Sequence, residues 1–220
     1  MPKQPIFRTG KFKIDEIASV KRSAYQNAEG CIKTSEDLIR YRKLIEQYKP
    51  DVIVETGTFN GQSALWFSQN ANCPVWTIDI NSVNAYKPDM KAKWATEANH
   101  EIRQLVGSSI DPSIVERVNF EIKHGGYKRP LIIFDSWHSS SHVHSEMESY
   151  FDLIPPLGYM VIEDGIIRWN AQELKHYGGS GPLDAIEKFL ENHINWLVDE
   201  EIEGISSTTQ HPKGWLIRKE

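Results

Sequence analysis

The sequence predicts an α/β protein built on a doubly wound, mostly parallel sheet whose last strand runs antiparallel. Three observations predict it. Short apolar runs such as Asp51-Val52-Ile53-Val54-Glu55 and Leu131-Ile132-Ile133-Phe134 read as buried strands. These runs alternate with stretches of helical periodicity, the pattern of βαβ units. The final two runs, Trp196-Leu197-Val198 and Trp215-Leu216-Ile217, show no helical pattern between them, so they are expected to pair antiparallel.

In chain order, residues 1–32 read as an N-terminal arm, with one short helix near Asp15 to Tyr25. Thr34 reads as an N-cap with Asp37 at the reciprocal position. Leu38, Tyr41, Leu44, Ile45 and Tyr48 follow at helical spacing up to Pro50. The strand to Glu55 runs into Thr56-Gly57-Thr58-Phe59-Asn60-Gly61 and a helix from Gln62 to Asn70. Val75-Trp76-Thr77-Ile78 is a strand ending at Asp79, and Asn81 to Asn99 is a polar stretch. Ile102 to Val106 forms the next strand, stopping at Gly107-Ser108-Ser109. Ile114, Val118 and Ile122 mark a helix. The strand to Asp135, a helix from Ser140 to Leu153 and a strand from Tyr159 to Ile162 come next, the last ending at Glu163-Asp164. Residues 166–181 read as a glycine-containing loop. Pro182 opens a helix that carries Leu183, Ile186, Phe189 and Leu190 on one face.

Composition narrows the function. The chain has 220 residues, a length for one large domain, and a net charge of -5. That acidity argues against nucleic acid as partner. Two cysteines, Cys31 and Cys73, are too few for a disulfide framework or a thiolate zinc site. Met1-Pro2-Lys3-Gln4-Pro5 lacks the apolar core of a signal peptide, and no run reaches the ~20 apolar residues of a membrane span. The expectation is a soluble, cytoplasmic protein.

Two clusters carry chemistry. In Glu55-x-Gly57-x-x-x-Gly61, Gly57 permits a tight turn and Gly61 a close approach of helix or ligand. A carboxylate at Glu55 would repel a pyrophosphate and suit a cationic amino group. Asp79, ending the next strand, is placed to accept from ribose hydroxyls. S-adenosylmethionine carries both features. The second cluster is Asp135, Glu163 and Asp164 at two strand ends, with His138 one short loop away, which suggests a metal-dependent site. Blander roles exist for each: helix caps for Asp135 and Asp164, an ion pair with lysine or arginine for Glu163, and a surface position for His138. His142 and His144 read as surface or packing residues, with His142 also a weak candidate for a substrate contact. Trp169, His176 and Tyr177 read as a lid over the substrate.

A resemblance sharpens this. Glu55-Thr56-Gly57, Gly107-Ser108-Ser109, Asp135-Ser136-x-His138, His142-Val143, Glu146, Tyr150, Gly158-Tyr159, Glu163-Asp164 and Gly181-Pro182-Leu183-Asp184-Ala185 occur in that order, closed by Pro212-x-Gly214-x-Leu216. Together they resemble the cephalosporin hydroxylase family, a branch of the class I S-adenosylmethionine-dependent methyltransferases. Metal-dependent macrolide sugar O-methyltransferases share the Asp-x-x-His and paired-acid arrangement. The resemblance implies a Rossmann-like, seven-stranded methyltransferase domain over residues 33–220. It implies S-adenosylmethionine held by Glu55, Gly57, Thr58, Gly61, Ser63, Asp79, Ser108, Ser109 and Asp135. It also implies Mg²⁺ on Asp135, Glu163 and Asp164, with His138 as general base. The implied reaction is O-methylation of a sugar or polyhydroxylated small molecule, and the resemblance suggests a homo-oligomer. Rival readings are a hydroxylase component and a cofactor-binding subunit without turnover. Trp137 and the 166–180 loop depart from the family pattern.

Overall fold

The structure, a computed structural model, describes residues 31–220. The expected short helix near Asp15 to Tyr25 and most of the arm lie outside the described residues. Seven strands, β1 (Val52–Thr56), β2 (Val75–Asp79), β3 (Ile102–Val106), β4 (Pro130–Phe134), β5 (Tyr159–Ile162), β6 (Trp196–Val198) and β7 (Trp215–Arg218), form one sheet. Its order is β3-β2-β1-β4-β5-β7-β6. β7 alone runs against its neighbours, pairing antiparallel with both β5 and β6. The predicted Rossmann-like, mostly parallel sheet with an antiparallel last strand is therefore observed.

Strands β1, β4 and β5 are buried along their whole length, so they read as continuous apolar runs. Alternate residues serve opposite layers. Val52, Val54, Ile132, Phe134 and Ile162 pack on helices α5 (Pro112–His124), α6 (Ser140–Tyr150) and α8 (Pro182–Asn192). Ile53, Leu131, Ile133 and Val161 pack on α1 (Ser35–Tyr48), α2 (Gln62–Asn70) and α4 (Met90–Glu97). Thr34 caps α1 as the sequence predicts, its hydroxyl oxygen accepting from the Asp37 N–H at 3.0 Å.

Three stretches correct the sequence reading. Residues 81–99 hold α3 (Val83–Tyr86) as well as α4, which buries Met90 and Trp94 against Gly61. The segment 166–181 is not a plain loop. It contains a 3₁₀ turn, Gly165–Trp169, and α7 (Ala171–His176). A short helix, α9 (Glu200–Glu203), does separate β6 from β7, capped by Asp199. Its four residues are too few to show a period, and the antiparallel pairing is unaffected.

Chain order reverses between β1 and β4. From β1 the chain winds through β2 to β3 on one side, and from β4 to β5 on the other. Ligands of such sheets sit outside the carboxyl ends of the strands at this point. Glu55, Asp79, Asp135, Glu163 and Asp164 all lie there. No helix among the described residues is long and apolar enough to cross a membrane.

Candidate functional site

The glycine loop is folded onto Asp79. One Asp79 carboxylate oxygen, Oδ2, accepts from the N–H groups of Thr58 and Phe59 at 3.0 Å each, and Oδ1 accepts from the Asn81 N–H at 2.9 Å. Gly57 has φ +87°, and a Cβ there would lie 1.9 Å from the carbonyl oxygen of Asp135. Only glycine lets β1 turn this close to β4. Gly61, at φ +73°, lets Trp94 close on the start of α2, where the Trp94 indole donates to the Gly61 carbonyl. Ser63 is half-buried in the first turn of α2.

Glu55 is wholly buried. Its Oε2 accepts from the Thr77 hydroxyl at 3.2 Å, that hydroxyl meets the Thr58 hydroxyl at 2.8 Å, and Oε1 has no hydrogen-bond partner. Burial pushes its carboxyl up to about 8, against the opposing pull of Lys33. In this structure Glu55 is a buried acid with one unmatched oxygen. Beyond β2, Ile80 is 69% exposed beside Asp79, an apolar surface at the mouth of the crevice. Across it, Ser109 and Ser136 both donate to Glu146 Oε1 at 2.6 Å, and His142 Nε2 lies 3.0 Å from the Ser136 hydroxyl. Ser108 is half-buried at the turn that follows β3.

The acids at β4 and β5 divide into two groups. Asp135, His138 and Asp164 converge, with one ligand atom from each within 4.8 Å of the others. His138 Nε2 is 3.4 Å from Asp164 Oδ2 and 4.0 Å from Asp135 Oδ1. Asp164 has φ +55°, a left-handed conformation that aspartate tolerates better than most residues, and its N–H donates to His211 Nδ1 at 2.9 Å. Glu163 is engaged by buried partners. Its Oε1 accepts from the Lys33 ammonium at 2.6 Å and the Tyr41 hydroxyl at 2.5 Å, and its Oε2 is 3.7 Å from His211 Nε2. Burial opposes ionisation of Glu163, but Lys33 and then His211 outweigh it and hold the carboxyl down at about 2. Asp135 shares the lysine, its Oδ2 lying 3.3 Å from Lys33 Nζ. Burial and then the charge of Glu163 still push Asp135 well above the usual carboxylate range.

Aromatic rings border the exposed side. The Tyr177 ring stands edge-on to His138 at 5.4 Å and to Trp137 at 5.0 Å, and His176 lies 5.4 Å from Trp137. Trp137 is 49% exposed.

Comparison with known proteins places this arrangement. A family model described as Rhamnosyl O-methyltransferase/CmcI matches residues 20–219. The chain belongs to that family. A rhamnosyl O-methyltransferase of Mycobacterium bovis is 30% identical over 194 residues, covering 86% of this chain and 75% of the relative. That of Mycobacterium leprae is 26% identical over 193 residues, covering 86% and 80%. Among solved structures, CmcI with Mg and SAM matches at TM-score 0.60 and 20% identity, covering 100% of this chain and 88% of that one. MycE, a methyltransferase of the mycinamycin biosynthetic pathway solved with Mg, SAH and mycinamycin VI, matches at TM-score 0.52 and 18% identity. There the match covers 84% of this chain and 49% of MycE. At these identities the two structures share the fold.

Within this family fold, the residues singled out in the sequence gather at one edge of the sheet. Glu55, Gly57, Thr58, Gly61 and Asp79 form one wall, and Asp135, His138 and Asp164 form the other. Glu163 lies outside that three-residue group and is paired with Lys33 in this structure. Three participants escaped the sequence reading. Lys33 sits where the arm meets α1, and a single lysine in a polar run carries no signal. Tyr41 reads as a core position of α1, which it also is. His142, expected on the surface, in packing or as a weak substrate contact, joins Ser109, Ser136 and Glu146, a grouping the sequence reading did not make; its i,i+4 spacing to Glu146 was the available sign.

Proposed function

We propose that this O-methyltransferase transfers the methyl group of S-adenosylmethionine to a hydroxyl of a sugar or polyhydroxylated small molecule, assisted by a divalent cation such as Mg²⁺. One observation carries the reading: the loop clamped by Asp79 and the Asp135–His138–Asp164 cluster share one edge of the sheet at its switch point. Support also comes from the Mg and SAM or SAH in the CmcI and MycE structures, and from the rhamnosyl enzymes among the relatives.

The residues suit both groups. Asp135 and Asp164 offer hard carboxylate oxygens, the donors Mg²⁺ takes together with water. The exposed Ile80 suits the adenine of an adenosine, and Asp79, held in place by the loop amides, suits its ribose hydroxyls as acceptor. The unmatched Oε1 of buried Glu55 suits the amino-acid end. When bound, the cation would acidify and orient the acceptor hydroxyl.

The acceptor oxygen displaces the sulfonium in line. A C–O bond forms, the C–S bond breaks, and S-adenosylhomocysteine leaves. The hydroxyl proton passes to His138 Nε2, which faces the gap between Asp164 and Asp135. Trp137, His176 and Tyr177 give a sugar ring an apolar wall beside that nitrogen. One imidazole and two carboxylates are not the two-histidine, one-carboxylate set of iron oxygenases, which disfavours the hydroxylase alternative. Calorimetry with S-adenosylhomocysteine tests the donor site. Micromolar binding is expected, and no heat at any accessible concentration removes the proposal.

A further inference from the structure

Lys33 is a fully buried cation inside the acidic site. Its ammonium lies 2.6 Å from Glu163 Oε1 and 3.3 Å from Asp135 Oδ2, and above the rings of Tyr41 and Phe67 at 5.7 and 5.9 Å. Its backbone is fixed as well. The next residue, Thr34, caps α1 and donates its N–H to the Gln210 side chain at 3.1 Å. Asp37, in the same turn, accepts from the Thr209 hydroxyl and the Gln210 N–H, beside the His211 that receives the Asp164 N–H. The lysine is thus held by the same framework that orients the acids.

Asp135 faces both ways. Oδ2 meets Lys33, and Oδ1 belongs to the cluster with His138 and Asp164. A buried ammonium a few ångströms from a carboxylate supplies the charge a bound metal ion would otherwise supply. We infer that Lys33 is a built-in competitor of the divalent cation: it holds Glu163 and one oxygen of Asp135, and so weakens divalent binding. This rests on the divalent site proposed above. In its absence buried Glu163 and half-buried Asp135 would lose the ammonium between them, a costly arrangement unless another cation takes its place. Lysine and divalent ion are therefore alternative counter-charges for the Asp135 carboxylate, which each meets through a different oxygen.

Titration of metal-free protein with Mn²⁺, by calorimetry and by the spin-resonance signal of the free ion, tests this. Lys33→Met should bind Mn²⁺ at least about tenfold more tightly than the native chain. Lys33→Arg, which keeps the charge, should stay within about threefold of native. Without metal, Lys33→Met should melt at a lower temperature than native and recover more of it with Mn²⁺ than native gains. If Lys33→Met is unfolded in metal-free buffer, Mn²⁺ should restore its circular dichroism; a chain still unfolded at saturating Mn²⁺ overturns the inference. Native binding with Lys33→Met no tighter overturns it too, and leaves the divalent site standing. Binding to neither protein overturns both.

Discussion

Glu55→Gln isolates the effect of burying an acid at the heart of the site. Glu55 is wholly buried, one oxygen is bonded to Thr77, the other is unmatched, and burial raises its carboxyl from 4.5 to about 8. The folded chain keeps this proton where the unfolded chain has lost it. Its contribution to stability is therefore full below about pH 4.5 and is lost as pH rises through about 8. At 1.36 kcal/mol per unit, the whole window amounts to roughly 4–5 kcal/mol, an upper figure because buried sites relax and admit water. Glutamine does not titrate, keeps an acceptor for Thr77 and has nearly the same volume. Urea unfolding of both proteins at pH values from about 5 to about 9 gives the assay. The native chain should lose stability relative to Glu55→Gln as pH rises, by a few kcal/mol across that range. Stability curves that stay parallel within about 0.5 kcal/mol would refute the assignment of a protonated Glu55.

Three further substitutions probe the remaining parts of the site. Gly57→Ala places a methyl group 1.9 Å from the Asp135 carbonyl at φ +87°, so a loss of about 3 kcal/mol or more is expected in urea unfolding, together with S-adenosylhomocysteine binding. His138→Gln should lower kcat by about 10²–10⁴-fold in a methyl-transfer assay while calorimetric affinity for S-adenosylhomocysteine stays within a few-fold of native. Tyr177→Ala removes a ring that stands against both His138 and Trp137, and should raise KM for the acceptor more than it lowers kcat, as steady-state kinetics would show.

The sheet was legible because its central strands are buried on both faces. β1, β4 and β5 leave apolar runs that no surface segment imitates. α1 and α8 announced themselves through a capping Thr34, an opening Pro182 and one clear apolar face. The segment 166–181 did not, since α7 buries none of its residues and so leaves no period to read. Residues 81–99 failed for a related reason: α4 buries only Met90 and Trp94. In the site, acids at strand ends and the glycine spacing were visible because local sequence places them there. The partition between Glu163 and Asp164 was not, because it depends on Lys33 arriving from a residue 130 positions away. Adjacent residues at a strand end point to different sides, and only the tertiary partner says which of them stays available. The same blindness applies to Glu55, whose strand-end position does not reveal that it is buried with one oxygen unmatched.

Transfer of a labelled methyl group from S-adenosylmethionine to a panel of rhamnosides and other polyols, run with Mg²⁺, with a chelator, and with Mg²⁺ restored, tests the central claim most directly. The account predicts label on a hydroxyl oxygen, loss of transfer in the chelator and its return with Mg²⁺. Full turnover in the chelator, or no transfer to any hydroxyl by a protein that binds the donor, would contradict it.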